Sequence, residues 1–300
     1  MDNIWQVDVR QGWLIGLTLE VIALLLTVTL IVVAILTPLS LTVFILALAA
    51  LATLGLSLQL IYHLWGLANA GYEMDRNALT IRWGGTTLQI PMASVRAVIP
   101  GTELKALRMR PGLRWPGNEV GMGRAEGIGD VLFFATRPAD SQVIIRTDAM
   151  AYSISPIESE AFLLAFRERL EMGPTQEVAE KSTHPAFLDW PIWHDRLGLG
   201  LLTSSTLLLI LLVGMLCWRY PTLPAEIILR RTASGDPLLL AAPLRIFYFA
   251  LLGAALLLVN GLLGLLVYRR SRIVTYYLWS GLVLIQVSLW VAALGVVVQK

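Results

Sequence analysis

The chain has 300 residues, of which 56% are hydrophobic and only 15% are charged. This composition is too apolar for a soluble globular protein and predicts a membrane protein with several spans. The formal net charge of +2 excludes a large basic surface for nucleic acid, and the single cysteine, Cys217, excludes an internal disulfide framework and a cysteine-based metal cluster.

Five apolar segments are long enough to cross the hydrocarbon core of a bilayer, which takes roughly 20 residues of helix. We place them at about 13–36, 40–66, 197–217, 245–267 and 275–297. The first two are joined by the short uncharged turn at residues 37–40, which predicts a helical hairpin.

The loop between the last two spans indicates the orientation. Three arginines lie between Tyr268 and Arg272, and short basic loops of membrane proteins face the cytoplasm. Counting back through the spans places the N-terminus and the polar segment after span two in the cytoplasm, and the C-terminus outside. Under this assignment four arginines fall on the outer side, against the rule that positively charged loops face the cytoplasm: Arg219, Arg230, Arg231 and Arg245.

Residues 69–173 between the second and third spans, here called the inserted domain, begin with the pattern of a half-buried sheet. Leu79, Ile81 and Trp83 alternate with polar residues, and Gly84-Gly85 supplies a hairpin turn before Leu88 resumes the apolar face. Further strands are predicted at residues 96–99, 130–136, 142–147 and 150–154.

The hydrophobic period changes from two to 3.6 after the last predicted strand. Residues 155–158 form a capping-box pattern with proline at the first helical position, and Phe162, Phe166 and Leu170 form one apolar stripe before Gly173 ends the helix. Short strands followed by one amphipathic helix predict a small β-barrel, or a pair of sheets, with one end covered by that helix.

Two patterns in the inserted domain resemble a known family. Residues 72–98 read Tyr-x-x-x-x-x-x-Leu-x-Ile-x-Trp-Gly-Gly…Ile-Pro-x-x-x-Val-x-x-Val, and residues 154–162 read Ile-Ser-Pro-x-x-x-x-x-Phe. They resemble the bacterial pleckstrin-homology-like (PH-like) domains that are attached to membrane helices. The resemblance covers about a third of the chain and implies a binding or assembly module without catalysis.

The expected fold class is therefore an α+β membrane protein in which two transmembrane helices precede, and three follow, an inserted PH-like β-barrel or sandwich capped by a C-terminal helix. The expected parts are an N-terminal transmembrane hairpin at 1–68, the inserted domain at 69–173, a linker with an interfacial elbow at 174–196, and a three-helix transmembrane region at 197–300.

The loop after the third span resembles a second family more weakly. An uncharacterised bacterial membrane family, found in some bacteriocin-immunity proteins, carries the pattern Leu-Pro-x-x-Ile-Pro-x-His-x-Asn-x-x-Gly-x-Pro. The matching positions are Leu223, Pro224, Ile227, Gly235 and Pro237. The second proline, the histidine and the asparagine are replaced by Ile228, Arg230 and Thr232, so polar chemistry attributed to that histidine is not carried over.

Four polar residues inside the predicted spans are candidate site residues: Glu20, Gln59, Asn260 and Gln286. Counting from the hairpin turn places Glu20 near the depth of Ser57 and Gln59, which predicts a hydrogen bond between Glu20 and Gln59. The same count from Ser271 predicts a bond between Asn260 and Gln286. In one interpretation these residues hold helices together by hydrogen bonds. In the other they couple proton or ion movement, or bind a polar substrate.

A basic cluster in the inserted domain consists of Lys105, Arg108, Arg110 and Arg114, with Trp115 beside it. Each cation near an anionic leaflet contributes about 1 kcal/mol, so the cluster is a candidate contact for anionic lipid or for a partner. A solvated loop is the alternative. The glycine-rich stretch 121–129 is followed by a predicted strand rather than a helix, which favours a flexible loop over a phosphate site.

Our leading hypothesis is a non-enzymatic protein of the bacterial inner membrane that presents a cytoplasmic PH-like domain for protein binding or for the assembly or stabilisation of a complex. The alternative is a small transport, export or immunity protein that uses Glu20, Asn260 and Gln286, with the domain as regulator. We expect no catalytic residue, cofactor, metal or nucleic acid. The expected partners are membrane lipids, a membrane or cytoplasmic protein and a second copy of the chain.

Overall fold

The computed structural model describes residues 4–103, 107–176, 178, 181–183, 190–231 and 237–298. Its long helices are α1 (Arg10–Leu36), α2 (Leu41–Ala68), α4 (Arg196–Arg219), α5 (Phe247–Tyr268) and α6 (Arg272–Val297), and a shorter helix, α3 (Ser159–Met172), precedes α4. Within these residues, five helices are long and apolar enough to cross a membrane. The predicted spans are confirmed, and the chain is a multi-pass membrane protein.

The chain forms two compact units. The first comprises Met1–Leu26 and Thr53–Asp189, and the second comprises Thr27–Ala52 and Trp190–Lys300. The first unit therefore holds one half of the helical hairpin together with the inserted domain. Each unit is described separately below.

One sheet of the first unit has the strand order β1-β2-β3-β4-β11, all antiparallel. Its strands are β1 (Ile4–Trp5), β2 (Gly71–Met74), β3 (Ala78–Trp83), β4 (Thr86–Pro91) and β11 (Lys181–Thr183). Leu79, Ile81 and Trp83 are buried as their alternation predicts. Gly84 lies in the two-residue turn with φ +58°, a conformation that glycine adopts without strain.

The other sheet has the order β5-β9-β10-β8-β7-β6. Its strands are β5 (Val95–Pro100), β6 (Leu107–Met109), β7 (Glu119–Ala125), β8 (Gly129–Ala135), β9 (Val143–Thr147) and β10 (Ala151–Ile154). The pair β8 and β10 is parallel, and the other pairs are antiparallel. Over the described residues these strands form two separate sheets, so the alternative of a closed β-barrel is wrong and the pair of sheets is confirmed.

Helix α3 covers the core with two fully buried phenylalanines, Phe162 and Phe166. The predicted capping box is wrong, because α3 begins at Ser159 and its N-terminus has no side-chain cap. The hydroxyl of Ser155 instead accepts a hydrogen bond from the backbone N–H of Thr136 at 2.8 Å. The apolar stripe also ends one turn early, since Leu170 is 38% exposed.

The glycine-rich stretch is mostly strand, which corrects the prediction of a flexible loop. Residues 121–125 belong to β7, and only residues 126–128 form the turn to β8. Glycine hides the alternation that reveals a strand, but Gly123 is required by packing. A Cβ there would lie 2.7 Å from the carbonyl oxygen of Arg108 and 2.7 Å from the ring of Phe133.

The second unit is built by the packing of α4, α5 and α6. The largest fully buried side chain is Trp279 of α6, which fits against Gly264 of α5. Gly214 of α4 leaves room for the ring of Phe44, where a Cβ would approach to 2.8 Å. Two antiparallel strands, β12 (Ile227–Arg231) and β13 (Pro237–Ala241), connect α4 to α5.

Candidate functional site

The inserted domain is attached to the first span through the turn between β6 and β7. The indole N–H of Trp115 donates to the backbone carbonyl of Gly12 at 2.8 Å, and Trp115 is only 6% exposed. The backbones of Gly12 and Gly117 touch, so that a Cβ at either position would overlap the other residue. Gly117 also has φ +89°, which favours glycine. The contact therefore depends on two glycines.

The second span contacts the same domain at two further places. A Cβ at Gly66 would lie 2.9 Å from the indole nitrogen of Trp83, and one at Gly84 would lie 3.2 Å from the Cα of Gly66. The side-chain nitrogens of His63 and Asn118 lie 3.2 Å apart. Both helices of the hairpin thus hold the inserted domain through close contacts.

The segment before the first span completes the domain. Trp5 of β1 packs edge-on against Phe162 with ring centroids 5.2 Å apart, and the backbone N–H of Ile157 donates to the carbonyl of Gln6 at 3.1 Å. Between β1 and α3 lies a cavity of about 520 Å³, here called the β1–α3 groove. Its lining residues are Ile4, Trp5, Gln6, Ile157, Glu158, Ala165, Glu168 and Arg169.

The groove combines apolar and polar groups. Ile4 is 71% exposed and Ile157 is 45% exposed at its edge. The indole nitrogen of Trp5 is buried and has no hydrogen-bond partner among the described residues. Glu168 on α3 is exposed beside them. Such a surface suits an apolar side chain with a backbone or side-chain acceptor next to it.

Tyr72 of β2 joins the two sheets. Its hydroxyl donates to the carbonyl of Phe134 and accepts from the backbone N–H of Ser155 at 3.1 Å. Burial raises the pKa of Tyr72 to about 12, although the hydrogen bonds with Ser155 lower it. The hydroxyl therefore remains protonated and satisfies the carbonyl of Phe134 in β8 and the N–H of Ser155, the residue that follows the neighbouring strand β10.

Comparison with known proteins identifies this part of the chain. Residues 70–170 match the family model described as "Bacterial PH domain". The chain carries a bacterial PH-like domain. The match falls on the residues whose pattern resembled that family, and it confirms the resemblance. No curated protein and no solved structure matched the chain.

The second resemblance has no support from these comparisons. The family match ends at residue 170, whereas the bacteriocin-immunity pattern runs from Leu223 to Pro237. Of its positions, Thr232 and Gly235 lie outside the described residues. The resemblance therefore stays a prediction.

The structure brings the predicted basic cluster of the PH-like domain together only in part. Arg108, Arg110 and Arg114 are exposed, and Lys105 lies outside the described residues. Arg110 is 3.7 Å from a carboxylate oxygen of Asp130. Trp115 is buried against the first span, which corrects its assignment as a residue for lipid or partner contact.

The intramembrane partner of Glu20 is Ser57, and the predicted bond to Gln59 is wrong. The hydroxyl of Ser57 donates to Oε1 of Glu20 at 2.6 Å, whereas Gln59 is exposed. Residues two apart on a helix point in nearly opposite directions, so only one of Ser57 and Gln59 can face the first span. Oε2 of Glu20 is buried without a partner among the described residues.

The predicted bond between Asn260 and Gln286 is also wrong. The side-chain amide of Gln286 donates to the carbonyl of Gly253 at 3.0 Å. Counted from the ends of α5 and α6, Gly253 and Gln286 lie at nearly equal depth, whereas Asn260 is about 9 Å nearer the loop at 1.5 Å per residue. A glycine carbonyl, which the sequence does not mark as a partner, takes the place of the asparagine.

A polar centre that the sequence analysis missed surrounds Asp195. Its Oδ1 accepts from the backbone N–H groups of Leu197 at 3.1 Å and Gly198 at 3.0 Å. Its Oδ2 accepts from the hydroxyls of Tyr268 at 2.8 Å and Tyr276 at 2.7 Å. Desolvation raises the pKa of the Asp195 carboxyl, but the four hydrogen bonds outweigh it and hold the pKa below its usual range.

One local sequence pattern predicts part of this centre. An aspartate directly before a long apolar run is typical of a helix N-cap, and Asp195 occupies that position before α4. Its tyrosine partners lie 73 and 81 residues away, which no local pattern reveals. Among the described residues, no group of three or more His, Cys, Asp or Glu has the arrangement of a metal site.

Proposed function

We propose that the chain is a non-enzymatic protein of the bacterial inner membrane that holds its PH-like domain in a fixed orientation at the cytoplasmic surface. There the domain binds a segment of another protein and assembles or stabilises a complex. The five spans provide the anchorage, and the β1–α3 groove provides the binding surface.

The attachment of the domain to both helices of the hairpin carries this proposal. Trp115 bonds to Gly12, Gly117 contacts the same residue, and Gly66 lies against Trp83. A flexible tether needs no such contacts, whereas a domain that presents one face to a partner gains affinity when its orientation is fixed in advance.

The composition of the β1–α3 groove supports the proposal that its ligand is a protein segment. The groove offers the exposed apolar side chains of Ile4 and Ile157 next to the carboxylate of Glu168. Beside them lies the indole N–H of Trp5, which has no hydrogen-bond partner in the described part of the chain. Protein interfaces combine an apolar centre, often with tryptophan, and a polar rim. The cytoplasmic side is supported by the three arginines between residues 269 and 272 in the short loop before the last span.

Photo-crosslinking in native membranes tests the proposal. A photoreactive amino acid replaces Glu168 in the groove, and the matched control replaces Arg146, which is exposed on β9 of the same domain. We expect a discrete crosslinked protein from position 168 that is absent from position 146. Absence of a specific adduct at 168, or an identical pattern at both positions, contradicts the proposal.

The alternative is a transport, export or immunity function of the spans. The observation that favours it is that Glu20 and Gln286 each keep one buried oxygen without a partner among the described residues. This alternative expects Glu20→Gln and Asn260→Ala to abolish activity at an unchanged protein level. Our proposal expects both variants to retain the crosslink from position 168.

A further inference from the structure

Three arginines stand around one end of α4, α5 and α6, and they are here called the arginine cluster: Arg196, Arg269 and Arg272. All three are exposed. Within the part of the chain that the structure describes, none of their guanidinium groups has an ion pair or a hydrogen bond. Three positive charges are thus gathered at this end, and among the described residues none of them is in a salt bridge with a carboxylate.

Asp195 borders the arginine cluster, and both of its carboxylate oxygens already accept hydrogen bonds. An ionised carboxylate has about four acceptor sites. Two backbone N–H groups and the hydroxyls of Tyr268 and Tyr276 take up both of its oxygens. It therefore positions the tyrosines and the start of α4, and it leaves the donors of the arginine cluster free.

Aromatic rings hold two of the guanidinium groups in place. Arg269 lies over the ring of Trp190 at 5.5 Å, and Arg272 lies over the ring of Tyr268 at 5.7 Å. A cation–π contact uses the face of the guanidinium plane, while its N–H donors point outward within that plane. Donors held in this way are ready to bind an oxyanion.

Two adjoining cavities lie between these side chains. One of about 460 Å³ is lined by Arg196, Arg272, Asp195 and Tyr276, with Pro191 and His194. The other, of about 330 Å³, is lined by Arg269, Arg272, Tyr268 and Pro191. Arg272 borders both cavities, so one anion there can contact more than one member of the cluster.

We propose that the arginine cluster binds the phosphodiester headgroup of an anionic membrane lipid. Arginine forms paired, charge-assisted hydrogen bonds with phosphate oxygens, which accounts for the ligand class. We assign the phosphate group to a membrane lipid because the arginine cluster lies at the ends of three spans. Leu197 and Ile273, the chain neighbours of Arg196 and Arg272, are exposed apolar residues beside which acyl chains pack.

Native mass spectrometry of the full chain in neutral detergent tests this site. The probes are dioleoyl phosphatidylglycerol, dioleoyl phosphatidylcholine and inorganic phosphate. The site variant is Arg269→Gln with Arg272→Gln. The matched control is Arg270→Gln, because Arg270 is exposed in the same loop and lines neither cavity.

We expect the native protein to bind phosphatidylglycerol more tightly than phosphatidylcholine, and the site variant to bind phosphatidylglycerol at least about tenfold more weakly. The control variant should bind like the native protein. Equal affinity for both lipids, or an equal loss in the control variant, overturns the proposal. Full displacement of phosphatidylglycerol by millimolar inorganic phosphate overturns the membrane as the source.

A variant that retains charge separates binding from folding. Arg269→Lys with Arg272→Lys keeps both cations but loses the planar fork, and thermal unfolding in the same detergent checks that it is folded. We expect its affinity for phosphatidylglycerol to lie between those of the native protein and the glutamine variant. A folded lysine variant that binds phosphatidylglycerol no better than phosphatidylcholine overturns the proposal.

Discussion

At the scale of single residues, the hydroxyl of Tyr72 makes stability depend on pH. Its pKa is raised to about 12 in the folded chain, against 10.0 for a free tyrosine. The unfolded chain therefore loses this proton first, and the stability that Tyr72 confers is complete below pH 10 and lost as the pH rises towards 12. We expect Tyr72→Phe to have a lower free energy of unfolding at pH 8, by about 1–3 kcal/mol.

The free energies of unfolding of the native chain and of Tyr72→Phe should converge as the pH rises. Chemical unfolding of the full chain in detergent between pH 8 and 12 measures this, with Tyr277→Phe as control because Tyr277 is 77% exposed. A difference between the native chain and Tyr72→Phe that stays constant over this range would show that the hydroxyl is not held as a buried donor.

The hydroxyl of Ser57 supports the first hairpin at the same scale. Ser57→Ala removes the hydrogen bond to Glu20 and leaves both carboxylate oxygens buried without a partner. We expect a loss of about 1–3 kcal/mol in the free energy of unfolding, measured in detergent. Gln59→Ala should have little effect, because Gln59 is exposed two residues further along the same helix. Equal losses in the two variants contradict the assigned pairing.

At the scale of elements, the start of α4 depends on Asp195. Replacing an N-cap by alanine costs about 0.5–2 kcal/mol, and Asp195→Ala also leaves two tyrosine hydroxyls without their acceptor. Ser271 caps α6 through one long bond of 3.5 Å and provides the control. We expect thermal unfolding in detergent to show a larger loss for Asp195→Ala than for Ser271→Ala. The reverse order contradicts the role of this centre.

The contact between α1 and the turn before β7 depends on a pair of glycines. Gly12→Ala places a methyl group into the backbone of Gly117, whereas Gly55→Ala meets nothing within 4 Å. Hydrogen exchange measured by mass spectrometry should therefore become faster in residues 115–120 of the Gly12 variant, by about tenfold or more. The Gly55 variant should exchange like the native chain. Unchanged exchange in both variants would mean that the turn does not rest on the helix.

At the scale of the whole molecule, elements with a regular period were predictable from the sequence. Continuous apolar runs predicted the five spans. Alternation predicted β3 and β4, because burial of one face of a strand imposes a period of two. Strand β7 was missed because glycines at 121 and 123 carry no side chain to show alternation. The capping box failed because Ser155 serves a neighbouring strand.

Pairings between distant residues were the least predictable part of the candidate sites. Counting residues from the hairpin turn predicted that Glu20 and Ser57 lie at similar depth, but it does not show which side of the second helix faces the first. The same count from Ser271 missed the partner of Gln286 because a backbone carbonyl, present at every residue, accepts that bond. The contact of Trp115 with Gly12 spans 103 residues, and its two glycines resemble ordinary loop and helix glycines in the sequence.

The segment before the first span, the adjoining halves of the two hairpin helices and the PH-like domain form one compact unit, which holds the domain in place. Ile4 of β1 lies opposite Glu73 of β2, and such antiparallel partners have Cα atoms about 4.5–5.5 Å apart, within reach of a disulfide. Thr87 lies on β4 of the same sheet, roughly 14 Å away at three strand spacings.

Oxidative crosslinking in native membranes tests this claim most directly, in a chain where Cys217→Ser removes the single native cysteine. One variant carries Ile4→Cys with Glu73→Cys, and the control carries Ile4→Cys with Thr87→Cys. We expect nearly complete disulfide formation in the first variant and none in the second. Failure of the first pair to crosslink, or equal crosslinking of both pairs, would contradict it.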